Sequence, residues 1–279
     1  MNHANFFSPE ELIPESNIVI FSPHYDDVLL GLGGYILGLN ASGLRSSKTF
    51  RVQLIFSRSN YQVGSGAENY DRSLERIKFA TGNRLMEDLE CLDELLGEHN
   101  YSYELLREKE ALLRGKVLTD GTMEFPHGMY PEFGEEEWQI LTRLQQLIRS
   151  WADRDNTALV FPLAIKEHID HFITREAALT TAKELGSKLK CSIYFQEDKP
   201  YAGIQTIQET ARILEFIEIN HLEPRLYRTY PEKIIDLAFR YYISQVEDVY
   251  RVGVLQRAEE LRSSHGLSEP SDCLYAYPK

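Results

Sequence analysis

Two short segments hold side chains that could do chemistry together. The first is Ser22-Pro23-His24-Tyr25-Asp26-Asp27 and the second is Glu167-His168-Ile169-Asp170-His171. Neutral imidazoles and a carboxylate are good donors for a divalent metal such as Zn²⁺, and three protein ligands plus a water make the catalytic arrangement. His24 and Asp27 are three apart across a turn, close enough to chelate one ion. His168 and His171 are also three apart, and they share a face if a helix begins there. Three ligands from these segments leave Asp26 or His168 for proton transfer. Zinc brings the pKa of a bound water to about 7, where a nearby carboxylate can take its proton. Taken singly, an Asp pair at a helix start is an N-cap and dipole partner, and a lone His is structural. Two such clusters, each just after a buried strand, favour the metal.

The surrounding pattern must bring the segments together. Ile18-Val19-Ile20-Phe21 is short, apolar and β-branched, and reads as a buried parallel strand ending at Ser22-Pro23. Val52–Phe56, Ala158–Phe161 and Ser192–Phe195 read the same way. Helical spacing predicts helices over Asn83–Leu96, Glu135–Trp151 and about Asp170–Leu185, with another beginning at Pro231. Ser57–Tyr70 reads as a long functional loop, and Glu98–Phe133 as an insertion or lid. Alternating strands and helices imply an α/β fold with a parallel sheet covered on both sides. No linker or repeat interrupts it, so residues 1–279 are expected to form one domain. Ligands of such sheets gather outside the carboxyl ends of the strands, where both segments lie.

Pro23-His24-Tyr25-Asp26-Asp27 with Gly33-Gly34, and His168-Ile169-Asp170-His171, resemble the P-H-x-D-D…G-G and H-x-D-H signatures of the PIG-L/LmbE-like deacetylases. Arg84-Leu85-Met86-Glu87 with Leu95-Leu96-Gly97 resembles that family's R-x-x-E…L-G helix. Glu197-Asp198-Lys199-Pro200-Tyr201-Ala202 and Tyr242-Ile243-Ser244-Gln245 resemble stretches of one bacterial branch. The resemblance implies a Rossmann-like three-layer fold and a zinc-dependent hydrolase that removes an acyl group, typically acetyl, from an N-acetylglucosamine-containing molecule. It makes His24, Asp27 and His171 the ligands of one Zn²⁺, and Asp26 the general base. It makes His168 a general acid or oxyanion stabiliser, Asp170 the group that orients a histidine, and Arg84 a sugar contact. The sequence departs from the pattern at Val28, where relatives carry Glu, and at Ala164 and Glu167, where glycine is common before H-x-D-H. Glu167 would place a charge beside the site.

Composition narrows the partners. Thirty basic against 43 acidic residues give a net charge of −13, which argues against nucleic acid and anionic membrane surfaces. A small-molecule N-acyl amino sugar or sugar conjugate is the expected partner. No apolar run is long enough to span a bilayer, and the N-terminus lacks a signal-peptide pattern. Cys91, Cys191 and Cys273 are odd in number and widely spaced, which fits a reducing, cytoplasmic setting. Gly31-Leu32-Gly33-Gly34 lacks dinucleotide-binding spacing and reads as packing. His3, His99, His221 and His265 have no partnered pattern, His127 sits in the candidate lid, and Asp120-Gly121 reads as a turn. Two rival readings are a sugar-binding protein of this fold without chemistry and another metal-assisted hydrolase, such as a phosphoesterase. A free base beside the ligands counts against the first, and the lack of a basic cluster against the second.

Overall fold

A computed structural model describes residues 6–115, 130 and 133–278. His3, His127 and Asp120-Gly121 lie outside the described residues. Eight strands form one sheet in the order β1-β7-β8-β6-β5-β2-β3-β4. They are β1 (Phe6–Phe7), β2 (Asn17–Ser22), β3 (Thr49–Leu54), β4 (Tyr101–Leu105), β5 (Thr157–Pro162), β6 (Ser192–Gln196), β7 (Glu223–Arg228) and β8 (Ser271–Ala276). Every pairing is parallel except those of β8 with β6 and β7. The helices are α1 (Pro9–Leu12), α2 (Gly33–Ala41), α3 (Leu74–Leu96), α4 (Glu135–Trp151), α5 (Ile169–Leu185), α6 (Ile207–Ile219), α7 (Pro231–Tyr241) and α8 (Asp248–Ser264).

The sheet divides the core in two. Along β2, Ile18 and Ile20 face one apolar cluster, with Val52, Val160 and residues of α2, α3 and α7. Val19 and Phe21 face the other, with Leu159, Phe161, Phe195 and residues of α4 and α5. Burial on both faces explains why these strands read as unbroken apolar runs. The result is the expected three-layer α/β architecture with a mainly parallel sheet. No helix among the described residues is long and apolar enough to cross a membrane.

Chain order reverses at β2. The chain leaves β2 for β3 on one side and later returns to β5 on the other. Such a switch point opens a crevice at the carboxyl ends of the two strands. Asp26-Asp27 follow β2 there, and His168 follows β5.

Some elements differ from expectation. α3 begins at Leu74, capped by Ser73, rather than at Asn83. Its first turns hide a buried arginine, Arg76, and expose Leu74 and Phe79, so they carry no apolar periodicity. The candidate insertion contains the edge strand β4, whose alternating Tyr101, Tyr103 and Leu105 are half-buried. The glycine run serves packing, as expected. A Cβ on Gly31 would lie 2.2 Å from the Gln196 side chain, and one on Gly34 2.3 Å from the Thr229 hydroxyl.

α3 also buries a carboxyl. Tyr103 and Tyr242 hydroxyls donate to Asp88, which is fully enclosed. Burial pushes Asp88 up to about 8 against the pull of these donors. Folded Asp88 thus keeps a proton that the unfolded chain releases near pH 4, so its contribution to stability falls as pH rises from about 4 to about 8. Asp88→Asn cannot ionise. In urea unfolding it should match the wild type near pH 4 and exceed it at pH 8; a difference that does not vary with pH would contradict this.

Candidate metal centre

The two segments converge. β2 ends in Ser22-Pro23, and the chain turns so that His24 N–H donates to Asp27 Oδ2 at 2.8 Å. A short π-helical turn, Val28–Leu32, follows directly, a departure from regular helix of the kind common at functional sites. After β5, the Ile165–Glu167 turn leads into α5. Ala164, Lys166 and Glu167 all hold left-handed backbone, with φ of 60°, 62° and 55°. That conformation suits glycine, which explains why Ala164 and Glu167 stand out against a pattern with glycine here. The Glu167 side chain pairs with Arg212 at 3.1 Å and is not part of the cavity wall around the histidines, so the charge expected beside the site is turned away from it.

His24 Nδ1 lies 3.1 Å from His171 Nε2. Asp27 Oδ2 lies 3.3 Å from His171 Nε2 and 3.6 Å from His24 Nδ1. Donors about 2.0–2.1 Å from a tetrahedral zinc sit about 3.3–3.4 Å from one another, so this triangle fits one such ion. A buried carboxylate braces each imidazole from behind. His24 Nε2 meets Asp170 Oδ2 at 3.0 Å, and His171 Nδ1 meets Asp198 Oδ1. With those nitrogens donating their protons, the lone pairs of His24 Nδ1 and His171 Nε2 point at each other and at Asp27. This is the carboxylate–histidine pairing that orients metal ligands.

The three histidines together also bring ligand atoms within 4.8 Å. Either His168 or Asp27 could be the third donor beside the histidine pair, and Asp27 Oδ2 lies within 3.6 Å of both ring nitrogens. His168 caps α5, and its Nδ1 accepts from Asp170 N–H at 3.2 Å. Nε2 is then the nitrogen that bears the proton. Burial holds the His168 imidazole well below its ordinary pKa, although Asp170 pulls the other way. Burial also favours neutral His171, but Asp27 and Asp198 on either side push it up to about 9. Burial raises Asp27 to about 6, with His171 opposing and Asp26 adding to the rise.

Asp170 is the hub. Besides His24 it accepts from Ala111 N–H at 3.0 Å and from the Arg114 guanidinium. Burial would raise its carboxyl, but Arg114 and then His24 hold it far below the usual carboxylate range. It thereby ties the segment after β4 to the histidine pair. Asp26 is 7% exposed and lines the cavity, and its carboxylate makes no hydrogen bond among the described residues.

The cavity above these groups has a volume of about 710 Å³. Arg84 lies in its wall, with Nη1 donating to Glu110 and to Ser59 Oγ at 2.7 Å and Nε to Gln245 Oε1 at 2.9 Å. Glu87 in turn accepts from Ser244 N–H, the Ser244 hydroxyl and Gln245 Nε2. The R-x-x-E and Y-x-S-Q stretches are therefore two halves of one contact. Arg84→Met leaves Glu110 buried without its counter-ion and should cost about 3–5 kcal/mol in denaturant unfolding. Wild-type stability with weakened substrate binding would instead make Arg84 a pure substrate contact. The Glu197–Ala202 stretch also divides its work. Glu197 pairs with Arg257, Asp198 with His171, and Lys199 with Asp272, while Tyr201 faces the cavity.

Sequence reasoning missed Asp198, Glu110 and Arg114. Asp198 had a signal in its motif; the other two sit in a stretch without periodicity. Of the tyrosines near the C-terminus, Tyr250 lines the cavity, joined by Tyr61, Tyr70 and Tyr201 from elsewhere. His99, His221 and His265 are exposed and are not part of the cavity wall.

The chain shares its fold with solved deacetylase structures. The chain is similar to teicoplanin deacetylase Orf2 in its zinc-inhibited form, with a TM-score of 0.57 and 19% identity over 93% of this chain and 97% of that one. It is similar to the A40926 pseudoaglycone deacetylase Dbv21, with a TM-score of 0.56 and 19% identity over 95% and 99%. N,N'-diacetylchitobiose deacetylase from Pyrococcus horikoshii, complexed with its inhibitor MPG, gives 0.57 and 14% over 98% and 87%. The sequence matches no protein-family model and no curated protein.

Proposed function

We propose that the protein is a zinc-dependent hydrolase that removes an N-acyl group, in the first place acetyl, from an amino-sugar-containing substrate. The observation that carries this reading is the triangle of His24 Nδ1, Asp27 Oδ2 and His171 Nε2, each edge between 3.1 and 3.6 Å, with two carboxylates braced behind the imidazoles. Neighbours of the same fold that act as deacetylases on teicoplanin and on diacetylchitobiose support it. One Zn²⁺ held by His24, Asp27 and His171 would act as a Lewis acid, acidifying a water and polarising the amide carbonyl.

The remaining steps belong to the chain. Asp26 accepts the proton of the attacking water on a carboxylate oxygen, and a C–O bond forms at the amide carbon. His168 donates from Nε2–H to the oxygen on which negative charge develops, the role of an oxyanion-hole donor. Asp170 and Asp198 hold the imidazoles in place. Asp26 returns its proton to the nitrogen, the C–N bond breaks, and the carboxylic acid so formed passes its remaining proton to the freed amine, so that a carboxylate and an ammonium product leave. Three buried free thiols suit a reducing compartment, the cytoplasm.

The test is acetate release from N-acetylglucosamine and diacetylchitobiose by zinc-loaded protein, compared with protein stripped by chelator. Release restored by zinc supports the reading. Full metal occupancy without release from any N-acyl amino sugar favours the non-catalytic sugar-binding alternative.

A further inference from the structure

Resting on the deacetylase reading, we infer that Arg76 is a positioning residue for substrate binding: it holds the loop of residues 59–71 in place as a ready-made wall of the cavity. A stretch this long with so little regular structure marks a functional loop. Tyr61, Gly64, Gly66, Asn69 and Tyr70 of this loop line the cavity. Its regular structure is confined to a 3₁₀ turn, Gly66–Tyr70. Such a loop keeps one shape only if side chains fix what no strand or helix fixes, because ordering each residue costs entropy.

Arg76 lies in the first turn of α3 and is 8% exposed. Its guanidinium donates from Nε to Asn60 O at 3.0 Å, from Nη1 to Gln62 Oε1 at 3.2 Å and from Nη2 to Asn69 Oδ1 at 2.9 Å. Nη1 also meets Glu68 Oε2 at 3.4 Å. One planar fork thus joins the start of the loop to its end, a span that the compact ammonium of lysine cannot cover. Asn69 and Asn60 close the neck. Asn69 Oδ1 also accepts from Gln62 N–H, and its Nδ2 donates to Gln62 O, both at 2.8 Å. Asn60 Nδ2 donates to Asn69 O at 2.6 Å and to Asp71 O at 3.1 Å. Further along the same face of α3, Arg84 donates to Ser59 Oγ at 2.7 Å, and Glu87 accepts from the Ser244 amide and hydroxyl. Ser244 O accepts from Val63 N–H at 2.8 Å. The loop is therefore pinned at Ser59, at Val63 and, through Arg76, across its neck. None of these contacts involves His24, Asp27 or His171. Release of the loop should weaken binding and leave the metal centre as it was.

The test compares zinc-loaded wild type with Arg76→Met and Arg76→Lys, and with Lys78→Met, an exposed position on the same helix, as a control for lost charge. Acetate release from N-acetylglucosamine and N,N'-diacetylchitobiose gives KM and kcat, and hydrogen exchange read by mass spectrometry follows residues 59–71. If the held loop falls to about one molecule in ten, KM rises about tenfold while kcat stays within about twofold. Exchange across residues 59–71 should quicken in step, with zinc content unchanged. Arg76→Lys should share the rise in KM, and it carries the comparison where circular dichroism shows Arg76→Met unfolded. Lys78→Met should match the wild type. Faster exchange with wild-type KM would make Arg76 structural only and overturn the inference, as would unchanged exchange or a loss confined to kcat; each leaves the deacetylase reading intact. Wild type that releases no acetate from either sugar at full zinc occupancy removes that reading and the inference with it.

Discussion

Asp26→Asn should keep its zinc and lose about 10²–10⁴-fold in kcat, the range that a positioned general base contributes. Asp26 and Asp27 are adjacent, equally buried carboxylates with different surroundings. Asp27 Oδ2 accepts from the His24 amide and sits within 3.6 Å of two imidazole nitrogens, which is the basis for proposing it as a metal ligand. The Asp26 carboxylate lies in the cavity wall without a hydrogen bond among the described residues. Removing its charge leaves the His24–Asp27–His171 triangle untouched and, in the proposed reaction, takes away the acceptor for the water's proton. The measurement pairs metal stoichiometry with acetate release. Turnover within about tenfold of wild type would remove Asp26 from the mechanism, and loss of zinc would make it a ligand.

Asp170→Asn should damage both fold and metal site. Every group that reaches Asp170 is a donor: His24 Nε2, the Ala111 amide and the Arg114 guanidinium. An amide in its place turns an NH₂ toward one of them. The Arg114 side chain is 1% exposed and, among the described residues, would keep only Glu137 as counter-ion. Breaking a buried ion pair costs about 3–5 kcal/mol, and loss of a carboxylate behind a metal-bound histidine costs about 10–100-fold in metal affinity. Urea unfolding and zinc titration read the two effects separately. Wild-type values in both would show that Asp170 neither anchors Arg114 nor orients His24.

The parts legible in sequence were those whose signal is local. β2 and β5 are apolar because both of their faces are buried, and the motifs sit where these strands end. The register that brings His24 to His171 rests on β2 pairing with β5 across 140 residues, from Asn17 opposite Thr157 onward. No local pattern reports that pairing; the chemistry of the two clusters did. Asp198 was quoted in a motif but not understood, because its work depends on His171, 27 residues earlier. Arg84 read as a sugar contact from its motif, and what the motif did not report is that its Nε and Nη1 also hold Gln245, Ser59 and Glu110 in the cavity wall. β4 and the start of α3 were missed because an edge strand and a helix over a buried arginine do not produce apolar periodicity. The antiparallel β8 inserts between β6 and β7 from late in the chain, where no strand was expected.

Metal content tests the central claim most directly. Protein purified without chelator or affinity metal, alongside His24→Ala and His171→Ala, should be measured for zinc per chain, with circular dichroism to verify folding. The account predicts about one zinc per wild-type chain and its loss in both folded variants. Wild-type protein that takes up no metal even after zinc is added, or variants that hold it as tightly as the wild type, would contradict the site and the deacetylase reading built on it.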